Sequence, residues 1–223
     1  MKYINSATTV VLILGLFLTG CAWSGKDSPE KPAHELIKDG IADYNDGEYK
    51  KALTSFEQLK DWYPFSKYAI LAELKIADAN YHLQQYPEAV AAYEEFERMH
   101  PSNEAAPYVI YQIGLCYFEQ IDTIDRDQTP ARKALDTFER LSHQFPKDPY
   151  ADKAQSLIPV CLENLAGHEF YVGYFYYRQK YYKAALYRFL NLIQQYPDVG
   201  YHHQALQYIA QCQAYKPIES NSE

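Results

Sequence analysis

Several things are scarce in this chain of 223 residues, and each shortage closes off a class of protein. Cysteine is rare at four, and no two stand in a C-x-x-C pair, so the usual redox and zinc-ribbon spacings are missing. Cys116, Cys161 and Cys212 are widely spaced, each inside a helical pattern, and read as buried thiols acting as small apolar residues, with one disulfide among them as the alternative. Basic residues are outnumbered, 21 Lys and Arg against 29 Asp and Glu, for a net charge of −8. A nucleic-acid binder needs a positive field, and no basic run supplies one. The long apolar stretch Val10 to Leu18 is too short to span a bilayer as a mature helix. Catalytic signatures are missing too: no H-E-x-x-H, no G-x-S-x-G and no P-loop. His202 and His203 are adjacent, so on a helix they point about 100° apart and not at one metal. His168-Glu169 has no partner at ligand spacing and reads as surface, and Glu94-Glu95 falls on a polar helix face. No enzyme, cofactor or metal is expected.

Glycine is sparse at 9 while proline reaches 12, mostly at segment edges, which suits helices separated by stops. Hydrophobic residues make up 48% and charged residues 22%, enough to fold. Tyrosine is abundant at 23 and serves both inter-helix packing and binding surfaces. The organising stretch is Gly40 to Pro64, GIADYNDGEYKKALTSFEQLKDWYP. From Gly40, the residues Gly47, Tyr49, Ala52, Phe56 and Pro64 fall at offsets 7, 9, 12, 16 and 24. These are the offsets of a tetratricopeptide repeat, a helix–turn–helix unit of about 34 residues. Gly40 lets the second helix approach the first, Ala52 and Phe56 share one face, Gly47 takes the positive φ of the turn, and Pro64 stops the helix.

The pattern recurs. Ala77, Tyr86, Ala89, Tyr93 and Phe96 repeat it before Pro101. Gly114, Ala134, Phe138 and Leu141 repeat it before Pro146, with an eight-residue insertion near Asp122 to Thr129. Asp122, Asp125 and Asp127 lack EF-hand spacing and read as a solvated loop, with Thr129 as N-cap and Pro130 as the first helical residue. Gly173, Tyr182, Ala185 and Phe189 close the series before Pro197. Pro149 to about Gln179 reads as one long helix, bent at Pro159 and capped by Asp148. The expected fold is an all-α tetratricopeptide solenoid, a right-handed superhelix of about nine antiparallel helices. Expected bounds are repeats near 33–64, 70–101, 107–146 and 166–197, a final capping helix over 201–215, and a polar tail at 216–223. Tyr44, Tyr81, Phe118 and Tyr177 form an aromatic ladder in the first helices of the repeats, equally suited to packing or to a groove for an extended peptide.

The first 20 residues read as a targeting segment, with Lys2 before the apolar run. Leu18-Thr19-Gly20-Cys21 resembles a bacterial lipobox. That resemblance implies removal of residues 1–20 and a diacylglycerol plus an N-acyl chain on Cys21, and several acyl chains make a stable anchor. The alternative is a secretory signal with an incidental cysteine. Ala22 in place of Asp implies sorting to the outer membrane. Residues 21–32 read as a lipidated flexible tether.

Three further stretches carry a family resemblance: Tyr63-Pro64-Phe65-Ser66-Lys67-Tyr68-Ala69; the insertion with Asp125-Arg126-Asp127 followed by Ala131-Arg132-Lys133-Ala134; and Phe145-Pro146-Lys147-Asp148-Pro149-Tyr150-Ala151. Together with the lipobox they resemble the BamD family of lipoproteins of the outer-membrane β-barrel assembly machine, over nearly all of the mature chain. The resemblance implies an outer-membrane protein anchored by lipid at the periplasmic face. It implies a groove for the C-terminal targeting segment of unfolded outer-membrane proteins, with Ile37, Ile41, Tyr44, Asp78 and Tyr81. It also implies docking on a POTRA domain of a BamA-like barrel protein, through Arg178 or Lys180, with other Bam lipoproteins as further partners. The competing reading is a different tetratricopeptide lipoprotein, an adaptor for cell-envelope, peptidoglycan, secretin or pilus assembly.

Overall fold

The computed structural model describes residues 31–215. The targeting segment, Cys21 with its expected lipidation, most of the tether and the tail from residue 216 lie outside the described residues. From Ala33 onward the described chain forms helices joined by turns and loops: α1 (Ala33–Asn45), α2 (Tyr49–Trp62), α3 (Ala69–His82), α4 (Tyr86–Met99), α5 (Ala106–Phe118), α6 (Thr129–Gln144), α7 (Pro149–Arg178), α8 (Tyr182–Gln195) and α9 (His202–Ala214). Each helix packs mainly on its neighbours in sequence. This is an all-α tetratricopeptide solenoid.

The helix pairs meet at a repeated contact. A Cβ on Gly40 would lie 2.5 Å from the Phe56 ring, and one on Gly173 would lie 2.8 Å from Phe189; Gly114 faces Phe138 in the same way. Each phenyl ring therefore sits in a notch that only glycine leaves open. Phe56, Phe138 and Phe189 are fully buried, each worth roughly 1.5–3 kcal/mol in area removed from water. Ala52, Ala89, Ala134 and Ala185 are also fully buried, at the expected close contacts. Cys116, Cys161 and Cys212 are buried free thiols. Burial pushes Cys161 up from 9.0 to about 11 and Cys116 to about 12.

The short turns between paired helices share one backbone solution. Gly47, Gln84 and Lys180 all have positive φ, at 78°, 59° and 64°. At each, the following N–H reaches back five residues: Glu48 to Asp43, Gln85 to Asn80, and Tyr181 to Tyr176. This closure satisfies the last carbonyls of the helix and needs a left-handed residue.

The long helix runs unbroken through Pro159, and Asp148 accepts the Tyr150 N–H at its start. Three expectations are corrected. Thr129 is not the cap of α6 but its first helical residue; the Asp127 carboxylate accepts from the Thr129 N–H and hydroxyl instead. His168 is partnered: its Nδ1 donates to the Ile124 carbonyl at 2.7 Å, and Asn164 donates to the Asp122 carbonyl, so the insertion is pinned to α7. Glu169 is buried, not on the surface, and pairs with Arg188 of α8 at 3.2 Å. Sequence spacing cannot show either partner, because both lie far along the chain.

Candidate functional site

Two surfaces carry the residues expected to bind partners. The first lies on α1 and α3. Ile37 is buried in the core between α1, α2 and α3, with Ile41 half-buried beside it. Tyr44 sits edge-on to Tyr49 and His82 at the turn end of these helices, at ring distances of 5.3 and 5.5 Å. The Lys75 ammonium lies 4.4 Å from the centre of the Tyr44 ring. Tyr81 is half-buried between His82 and Tyr86, and burial, with Glu119 next, pushes its hydroxyl up to about 12. Tyr44 and Tyr81 therefore keep neutral hydroxyls and partly open rings.

Asp78 is different: it is only 2% exposed. Its Oδ1 accepts from the hydroxyls of Tyr93 and Tyr108, both at 2.7 Å, and its Oδ2 from Lys75 Nζ at 2.8 Å. Gln112 in turn donates to the Tyr108 hydroxyl. A buried carboxylate needs several donors to offset its lost hydration, and three are supplied by α3, α4 and α5. Asp78 is thus not an open groove contact. It is an anchor beneath the α1 and α3 surface, and through Lys75 it holds the face of Tyr44. Burial and the Asp78 charge push the hydroxyls of both Tyr93 and Tyr108 far above the usual tyrosine range.

The second surface is at the α7–α8 end. Arg178 ends α7 and is exposed. Lys180 stands two residues on, in the left-handed turn, and its side chain lines a cavity of about 590 Å³ with Tyr176, Tyr181, Tyr182, Leu186 and Tyr215. Tyr171, Tyr174 and Phe175 are also exposed. With Arg178 they fall at positions i, i+3, i+4 and i+7, so one stripe of α7 carries three aromatic rings and a guanidinium. Helical spacing could have picked out this stripe; within it Tyr174 also packs against Phe170 and Tyr208. The ladder residues Phe118 and Tyr177 are engaged within the fold. Phe118 lies near the Phe138 ring, and Tyr177 meets Tyr182 and Tyr208 and donates its hydroxyl to Gln211 at 2.6 Å.

Among the described residues, no group of His, Cys, Asp and Glu is arranged to hold a metal ion. No helix among them is long and apolar enough to cross a membrane. Stacked helix pairs with partly open aromatic surfaces define the class as a tetratricopeptide solenoid. Within that class, the model of the outer membrane lipoprotein family YfiO matches residues 29–222, and the chain belongs to this family. Relatives named outer membrane protein assembly factor BamD are similar over most of their length. The protein of Rickettsia prowazekii is 33% identical over 87% of this chain and 77% of its own. That of Vibrio cholerae is 28% identical over 98% and 92%. That of Caulobacter vibrioides is 28% identical over 98% and 72%. Among solved structures, a thermophilic tetratricopeptide protein of Thermus thermophilus aligns with a TM-score of 0.45 at 15% identity, over 80% of this chain and all of that one.

Proposed function

We propose that this chain is a lipid-anchored periplasmic scaffold of outer-membrane protein assembly. It receives the targeting segments of unfolded outer-membrane β-barrel proteins on the α1 and α3 surface, and it docks on a BamA-like POTRA protein at the α7–α8 end. Membership of an outer membrane lipoprotein family and the assembly-factor names of the relatives support the general role. The observation that carries the docking half is the exposed stripe of Tyr171, Tyr174, Phe175 and Arg178 beside the cavity rimmed by Lys180. Aromatic rings with arginine are the residues that dominate interface energetics. For the groove, Ile41, Tyr44 and Tyr81 supply half-buried apolar surface over the Asp78 anchor, which suits an extended strand ending in an aromatic residue.

The test is recovery of partners from detergent-solubilised membranes. A barrel protein with POTRA domains is expected to co-purify, and Arg178→Glu with Lys180→Glu is expected to reduce its yield. If no such protein appears with the unaltered chain, the adaptor serves another envelope assembly. Tyr44→Ala with Tyr81→Ala is expected to weaken binding of a C-terminal barrel peptide. Unchanged affinity in a folded variant would leave those rings to packing alone.

A further inference from the structure

The connections α2–α3, α4–α5 and α6–α7 begin with the same turn. Ser66 N–H donates to the Tyr63 carbonyl, Asn103 N–H to His100, and Asp148 N–H to Phe145, each at 3.0 Å. Each turn has proline at its first corner: Pro64, Pro101 and Pro146. The second corner is Phe65, Ser102 and Lys147. The turn therefore has no need of an apolar residue there, and two of the three copies carry a polar one. Phe65 is nonetheless held by that closed turn with its side chain fully exposed, at 101%. It is not alone. Trp62, Ile70, Leu71 and Met99 are all more than 40% exposed. Met99, Pro64 and Lys60 line one shallow cavity, so the end of α4 lies beside this turn.

This edge lies at the end of the solenoid where the chain enters it. The Gly40–Phe56 contact fixes the antiparallel register of α1 and α2. In that register Ala33, where the chain enters the solenoid, lies opposite Tyr63. The residues from Cys21 to Pro32, even fully extended, span no more than about 40 Å. An acylated Cys21 would keep this edge, where the tether joins the solenoid, within that distance of the lipid surface. The edge also has the composition of an interfacial contact. Trp62, with half-buried Tyr63 and Tyr68, supplies amphipathic rings. Lys60 and Lys67 flank them, with Asp61, Glu73 and Glu95 as acidic neighbours. Aromatic rings settle at the headgroup level, while lysine stems lie along apolar surface and keep the charge in water.

We propose that the Trp62–Phe65 turn, with Ile70 and Met99, is a second membrane contact that seats the first repeats on the lipid surface; it rests on the lipid-anchored reading above. Alone, so few side chains would bind lipid weakly. Tethering makes the step intramolecular and raises the effective concentration of surface, so a weak patch suffices.

The test uses the lipidated full chain with Trp23→Phe, which leaves Trp62 as the sole tryptophan. It is reconstituted into phosphatidylethanolamine–phosphatidylglycerol vesicles whose acyl chains are brominated near the glycerol end. Trp62 emission is expected to be blue-shifted and largely lost to bromine quenching. Phe65→Ser is expected to restore much of it without changing the helical circular dichroism. Unquenched, water-like emission from a chain whose mass shows acylated Cys21 overturns the inference and leaves the anchored reading standing. A chain recovered from membranes without acyl groups overturns both. A blue shift that is insensitive to bromine, grows with protein density and vanishes in Phe65→Ser would mean that two copies cover the patch, which also overturns it.

Discussion

The α3–α4 pair and the other three helix pairs solve one packing problem in two ways. In α1–α2, α5–α6 and α7–α8 a glycine faces a phenylalanine, and the contact is wholly apolar. In α3–α4 the equivalent places hold Ala77 and Tyr93, both fully buried. A buried tyrosine hydroxyl needs an acceptor, and Asp78, next in sequence to Ala77, provides it. The carboxylate then needs further donors, which come from Tyr108 on α5 and from Lys75. One changed ring thus propagates into a polar network that ties α3, α4 and α5 together and reaches Tyr44 on α1 through Lys75. The comparison teaches that the apolar notch gives local adhesion between two helices, while the polar version links several and fixes the surface above them.

Removing an apolar ring should have the largest effect. Phe138→Ala is expected to cost about 3–5 kcal/mol in urea-melt stability, since the ring is fully buried among Ala134, Leu141 and Leu165. Tyr93→Phe keeps the ring but removes one donor to Asp78. The expected loss is about 1–3 kcal/mol. A double-mutant cycle of Tyr93→Phe with Tyr108→Phe should be non-additive, because both hydroxyls serve one oxygen. Additive losses would show that the network is not a unit.

Gly40→Ala is expected to destabilise by roughly 1–2 kcal/mol: the clash with the Phe56 ring outweighs the gain in helix propensity. Ala77→Gly should also destabilise, by about 1 kcal/mol, since that pair has no phenyl ring to admit. A stabilising Gly40→Ala would dissolve the distinction between the two kinds of pair. The thiols extend the comparison to pH. Cys116 packs with Tyr93, whereas Cys161 packs with the Phe138 cluster. Both stay protonated when folded, to about 12 and about 11, but ionise near 9.0 when unfolded. Above that value the unfolded chain has released protons that the folded chain retains, so the stability present below pH 9 is lost as pH rises toward 11 and 12. Cys161→Ala is expected to flatten the alkaline arm of a stability-versus-pH curve, with a smaller drop between pH 9 and 11 than the unaltered chain shows.

Tyr44 and Tyr81 follow from repeat spacing, and both rings lie edge-on to His82. Asp78 is an interior residue, and its donor Tyr108 lies 30 residues away, out of reach of repeat spacing. Gln84 and Lys180 could have been read as left-handed turn residues: each sits seven places after the Gly40-like position, as Gly47 does. The aromatic stripe on α7 could have been read as a period, whereas the exposure of Tyr171 and Phe175 could not.

What the amino-acid order determined by itself is what short-range physics controls: the helix stops at proline, the Asp148 cap, the small-residue notches, and the spacing that pairs each helix with the next. What only the tertiary structure decided is which polar groups lost their water. Asp78 and Glu169 became interior groups, the Asp122–Gln128 insertion was pinned to α7, and Phe65 was left facing outward. Burial is a property of what other segments bring to a residue, and a periodic pattern along one helix carries no record of what arrives from elsewhere.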